Sequence, residues 1–268
     1  MALMPHASKA SSPSPSPAGP TARFGARAAL AAVALALVAV PFALLVFLVE
    51  DRWTPLVRAD AGARDSLHAY ALTHERFVGA MRLISDSGSA LAWQVVLTVV
   101  VVWLLRRRLP RLALFVVVTA AGSSLLNAAV KAAVHRLRPT LTDPVAHANG
   151  LSFPSGHAQA AIVGYAVLLL VFLPILQGLW RITAVTLASF MVLAIGFSRV
   201  ALGVHYVSDV VGGFVLGAAW VAAMAAAFNA LRIEHGRRTV DLKEGLEPEQ
   251  ASRLAGQATA DGGPHRSQ

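Results

Sequence analysis

Leu112-Ala-Leu-Phe-Val-Val-Val-Thr-Ala-Ala-Gly-Ser-Ser-Leu-Leu-Asn-Ala-Ala-Val130 carries no charged side chain, and it ends on Lys131. A helix needs about 20 apolar residues to cross roughly 30 Å of hydrocarbon, and this run has that length. The same pattern recurs along the chain. Charge-free or nearly charge-free runs occupy Ala28–Val49, Ser87–Leu105, Leu112–Val130, Ala158–Trp180, Ile182–Ser198 and Val210–Leu231. The expected fold is therefore all-α, a bundle of six transmembrane helices.

Composition agrees. Of 268 residues, 56% are hydrophobic and 14% charged, whereas a soluble domain carries about 25% charged residues. Too little polar sequence remains to cover six buried helices in water. In a soluble chain the net charge of +9 would point to nucleic acid. Here the arginines gather at span ends, as in Arg106-Arg-Arg-Leu-Pro-Arg111, where anchoring and orientation account for them. A bilayer is the expected partner, and nucleic acid is not. The chain has no cysteine, which excludes disulfides, thiolate metal sites and cysteine nucleophiles.

Residues 1–22 are rich in Ser, Pro and Ala and read as a disordered tail. Arg23 and Arg27 precede the first span in the manner of a signal peptide, but the apolar run is longer than such a segment, so a retained span is expected. Residues 23–232 form one membrane domain, and 233–268 a polar, disordered tail. The connection 50–86 contains a helix-like stretch, Ala63–Ile84, whose apolar Leu67, Tyr70, Ala71, Phe77 and Met81 suit a helix lying on the membrane surface. His68 and His74 within it have no partner at ligand spacing and read as ordinary exposed histidines.

Parity then constrains the charged blocks. With six spans, the connections 50–86, 131–157 and 199–209 share one face of the membrane. Three blocks fall there: Lys131-Ala-Ala-Val-His-Arg-Leu-Arg138-Pro139, Pro154-Ser155-Gly156-His157, and Ser198-Arg199 with His205 and Asp209. Lys and Arg near span ends are in modest excess on the face bearing both termini, so that face is expected to be cytoplasmic, with the blocks facing outward from the plasma membrane.

Charge near hydrocarbon is expensive and points to function. Lys131, Arg138 and Arg199 can stabilise the oxygens of a phosphoryl group, although each alone reads equally well as a snorkelling side chain. Ser155 and Gly156 open a helix, where a hydroxyl and free backbone N–H groups bind anions; an ordinary N-cap fits the same residues. His205 and Asp209 stand four apart and share a helical face. A carboxylate on one ring nitrogen leaves the other as nucleophile, and His157 is placed to protonate a leaving oxygen. Ser155 is the alternative nucleophile. A metal site is disfavoured, because three fixed cations face only Asp209 and, in the loop, Asp143.

In order and spacing, Lys-x6-Arg-Pro, Pro-Ser-Gly-His and Ser-Arg-x5-His-x3-Asp resemble the three signature motifs of the type 2 phosphatidic acid phosphatase superfamily, which also includes vanadium-dependent haloperoxidases. The motifs span 131–209, and the six-span layout extends the likeness to about 28–231. The resemblance implies a metal-independent membrane phosphatase that works without a cofactor through a phosphohistidine intermediate. His205 would be the nucleophile, Asp209 its orienting partner and His157 the general acid. Lys131, Arg138 and Arg199 would hold phosphate, with Ser155 and Gly156 donating hydrogen bonds. Phosphatidate, phosphatidylglycerol phosphate and polyprenyl diphosphate all fit as lipid substrates. A phosphotransferase using the same site, a haloperoxidase, and a six-span transporter or anion channel are the competing readings.

Overall fold

The computed structural model describes residues 39–234, and the side chains of 39–229. The expected tail 1–22, the first part of the Ala28–Val49 span and nearly all of the tail 233–268 lie outside the described residues. Among those described, every regular element is helical. They are α1 (Ala39–Glu50), α2 (Thr54–Thr73), α3 (Glu75–Ser87), α4 (Ala90–Arg106), α5 (Pro110–Val134), α6 (Gly156–Phe172), α7 (Gly178–Ala201) and α8 (Val207–Glu234).

Four helical stretches are long and apolar enough to cross a membrane: Pro110–Val134, Gly156–Ile175, Gly178–Ala201 and Val207–Asn229. α3 and α4 together make a fifth candidate, bent by 41°. The bend sits at Gly88-Ser89, where the Ser89 hydroxyl caps α4 by accepting from Ala92 N at 3.2 Å. The expected Ala158–Trp180 span is divided. Pro174 cannot donate to a helix ladder, α6 tightens into a 3₁₀ turn over Leu173–Ile175, and Trp180 belongs to α7.

The expected single surface helix over Ala63–Ile84 is instead two helices broken at His74. They pack on the bundle, α2 against α7 and α8, and α3 against α7. His68 is half-buried rather than exposed, and its Nε2–H donates to Thr142 O at 2.9 Å.

Packing follows bilayer logic, with large apolar side chains turned outward as well as inward. Leu125 and Leu193 are 72% and 63% exposed, while Leu104, Val116 and Val167 are fully buried among α4, α5 and α6. α6 and α8 form the tightest crossing, through small residues that let the backbones approach. A Cβ on Gly213 would lie 2.6 Å from the Ser155 carbonyl oxygen and 3.1 Å from Ala158 Cβ. Backbone cannot move aside as a flexible side chain does. Gly213→Val is therefore expected to cost about 1–3 kcal/mol of stability, read as a lower unfolding temperature in detergent. Activity should fall with it, because Ser155 N donates to Asp209 O at 2.9 Å across this contact.

Candidate active site

α5 delivers Lys131 on its last turn, with Nζ donating to Leu151 O at 2.5 Å. The helix ends at His135, which adopts a left-handed conformation at φ 51°. The chain then runs irregularly back across the bundle. Arg138 is anchored along it through Asn149 O and Gly150 O, at 3.1–3.2 Å. Its Nη1 reaches Val204 O at 2.8 Å and His205 Nε2 at 3.0 Å.

The second block closes this crossing. Ser152 N donates to Arg136 O at 2.8 Å, and Phe153–Pro154 is a cis peptide. Ser155 then stands at the N-cap of α6 with extended backbone, but its side chain makes no capping bond. Its Oγ is buried with no hydrogen-bond partner among the described residues. The first-turn amides of α6, at Gly156 and His157, share that end with it, an arrangement suited to an anion.

The third block supplies the reactive pair. His205 is 1% exposed and Asp209 fully buried. His205 Nδ1 lies 3.3 Å from Asp209 Oδ2. Its Nε2 faces Arg138, which can only donate, so Nε2 must be the unprotonated nitrogen and Nδ1 carries the hydrogen. The lone pair thus points toward the cations. Asp209 Oδ2 is held further by Ser152 Oγ and by Tyr206 N at 2.8 Å, and Oδ1 by Arg136 Nη1 at 2.7 Å. Burial pushes the His205 imidazole down to about 4, against the Asp209 carboxylate that opposes the shift. It is neutral at neutral pH, as a nitrogen nucleophile must be.

Around this pair the three cations converge. Lys131, Arg138, Arg199 and His205 all lie within electrostatic reach of the His157 ring. Arg199 donates from Nη1 to Ser85 Oγ, and its Nε has no partner among the described residues. None of Lys131, Arg138 and Arg199 forms an ion pair with a described carboxylate. Asp209 lies within electrostatic reach of Lys131 and Arg138, and Asp86 of Arg199, but neither carboxylate is paired with them, so three cations held on carbonyls and hydroxyls favour an anion between them. On the other side of His157 and Gly156, a cavity of about 580 Å³ opens between α4, α5 and α6. Trp93, Leu97, Val101, Val116 and Val163 make most of its wall apolar.

Comparison with known proteins agrees with this geometry. The sequence profile of the PAP2 superfamily matches residues 111–233. Over this segment, a little under half of its length, the chain is similar to the PAP2 superfamily. Phosphatidylglycerophosphatase B of Bacillus subtilis strain 168 is 41% identical over 96 residues, which is 35% of this chain and 46% of that protein. The match thus spans under half of that relative's length. The crystal structure of a transmembrane PAP2-type phosphatidylglycerolphosphate phosphatase from Bacillus subtilis superposes with a TM-score of 0.64 at 25% identity. It covers 72% of this chain and 94% of that one.

All eight residues singled out from the sequence fall in one neighbourhood of the helical bundle. Lys131, Arg138, Arg199, His157 and His205 are mutually close; Asp209 touches His205; Ser155 bonds Asp209 through its backbone, and Gly156 follows it. Sequence reasoning missed Arg136 and Ser152, which clamp the Asp209 carboxylate, and Ser85, which receives Arg199. Arg136 carried a signal, a third cation inside the first block. Ser152 and Ser85 carried none, because a hydroxyl's partner is set by tertiary contact alone.

Proposed function

We propose that this protein is a PAP2-type integral membrane phosphatase that removes a phosphoryl group from a lipid phosphate through a phosphohistidine at His205. The observation that carries the reading is the set of three cations, none in an ion pair, gathered by the unprotonated Nε2 of a neutral imidazole, which Arg138 faces. Nε2 attacks phosphorus, forming the N–P bond as the P–O bond to the leaving oxygen breaks, and His157 protonates that oxygen. Water then attacks the phosphohistidine, His157 takes its proton, and inorganic phosphate leaves with His205 restored. Lys131, Arg138, Arg199, Ser155 and the Gly156 amide hold the equatorial oxygens throughout, where their charge is worth most.

The apolar cavity ending at His157 and Gly156 supports an amphiphilic substrate, its headgroup among the cations and its tails toward the bilayer. Six spans with both termini cytoplasmic, and a site at the outer interface of the plasma membrane, complete the proposal. No cofactor enters it. Among the described residues no three His, Asp or Glu side chains are grouped to hold a metal ion, and the fixed cations would repel one. The Bacillus subtilis phosphatase that the chain resembles in sequence and in structure carries phosphatidylglycerol phosphate in its name, which favours that lipid within the class. A phosphotransferase differs only in what relieves the phosphohistidine.

The test is phosphate release by purified protein from phosphatidylglycerol phosphate, phosphatidate and polyprenyl diphosphate, each with and without EDTA. Release from at least one lipid, undiminished by EDTA, is expected. Loss in EDTA restored by magnesium would replace the metal-free mechanism, and no release from any lipid would sink the phosphatase.

A further inference from the structure

Asp60 lies on α2, outside residues 111–233 and outside all three charged blocks. It is 1% exposed, and a carboxylate so deeply buried is costly unless fully paired. Its Oδ2 accepts from Arg136 Nη2 at 2.8 Å and from Ser208 Oγ at 2.5 Å, while Oδ1 accepts from Ser208 N at 3.0 Å. The other end of the same guanidinium holds Asp209 Oδ1 at 2.7 Å and Ser208 Oγ at 2.6 Å. The Tyr206 ring covers it, 4.3 Å from Cζ to the centroid. One planar cation thus bridges two buried carboxylates, with its plane fixed by a ring. A lysine, a point charge without a fork, cannot make both contacts.

We propose that Asp60 is a positioning residue for the His205–Asp209 pair, acting through the Arg136 guanidinium that bridges it to Asp209. Asp60 fixes where Arg136 stands, and Arg136 fixes the Asp209 carboxylate. That carboxylate sets which nitrogen of His205 carries the hydrogen. Through Ser208 N, Asp60 also pins the first turn of α8, the helix that carries Asp209. The 50–86 segment thereby gains a role in the reaction although it contributes no group that touches the phosphate. The inference rests on the reading of His205 as nucleophile.

Purified full-length protein is tested on short-chain phosphatidylglycerol phosphate, phosphatidate and polyprenyl diphosphate, and the variants are compared on a lipid that the parent hydrolyses. Asp60→Asn, nearly the same in shape, should lower kcat tenfold or more with KM within twofold of the parent. Arg136→Lys should do the same. The double variant should be no slower than the slower single within twofold, because both act along one line of contacts. An Asp60→Asn variant within twofold of parental kcat overturns the inference, as do losses that multiply in the double. Should Asp60→Asn fail to fold, Ser208→Ala takes its place; it should lower kcat at least threefold at unchanged KM, and parental kcat overturns the proposal. A His205→Ala protein that still hydrolyses the lipid, or a parent inactive on all three lipids, overturns the reading of the site and this inference together. An active, His205-dependent parent indifferent to Asp60 overturns the inference alone.

Discussion

His205→Ala releases no phosphate from any lipid phosphate that the parent hydrolyses, yet it inserts into membranes and elutes from a sizing column like the parent. The expected loss is total because the substitution removes the Asp209-oriented nitrogen whose lone pair faces Arg138. Stability should change modestly. Alanine in place of a buried imidazole leaves a cavity and frees one bond each from Arg138 and Asp209, but both partners keep their other contacts. Phosphate release by His205→Ala at even a tenth of the parental rate would transfer the nucleophile's role elsewhere, Ser155 being the first candidate. The lone pair at Nε2 is available over the whole physiological range because burial holds the imidazole neutral down to about pH 4.

Asp209→Asn is the second large effect. The carboxylate accepts from Arg136, Ser152 and Tyr206 N and faces His205 Nδ1–H. An amide can keep one accepting oxygen but turns an N–H toward either Arg136 or the imidazole. Either the guanidinium loses its inner partner or His205 is driven to the tautomer that places hydrogen on Nε2. Elsewhere the loss of a carboxylate that orients a catalytic imidazole costs about 10⁴ in kcat, and a loss of about 10³–10⁴ is expected here. Breaking the buried pair with Arg136 should cost about 3–5 kcal/mol as well, visible as a lower unfolding temperature. KM should move little, since Asp209 contacts the imidazole rather than the phosphate. A variant that turned over normally would remove Asp209 from the mechanism.

Much of this site could be read from the linear sequence because charge is so conspicuous against hydrocarbon. Lys131, Arg138, Arg199, His157 and His205 each interrupt or end an apolar run, and span parity alone brought their blocks to one face. The structure gathers them as expected. The boundaries that went astray did so for local reasons that hydropathy does not register. Pro174 halts α6 before Trp180, and Gly88-Ser89 bends the chain between α3 and α4. The larger miss was the 50–86 segment. The helical spacing of Leu67, Tyr70, Ala71, Phe77 and Met81 suggested one surface helix over Ala63–Ile84, and Asp60 precedes that stretch. Nothing in the sequence marks Asp60 as buried, because its partners Arg136 and Ser208 come from other elements far along the chain. Ser152 and Ser85 are of the same kind. Long-range hydrogen bonds of small polar side chains leave no periodicity to read.

The most direct test of the account is to trap the intermediate. Purified protein is mixed with radiolabelled lipid phosphate, quenched in base within one turnover and digested. Label is expected on the peptide containing His205, stable in base and lost in mild acid. Steady turnover with no label on the protein, or acid-stable label on the peptide containing Ser155, would contradict it.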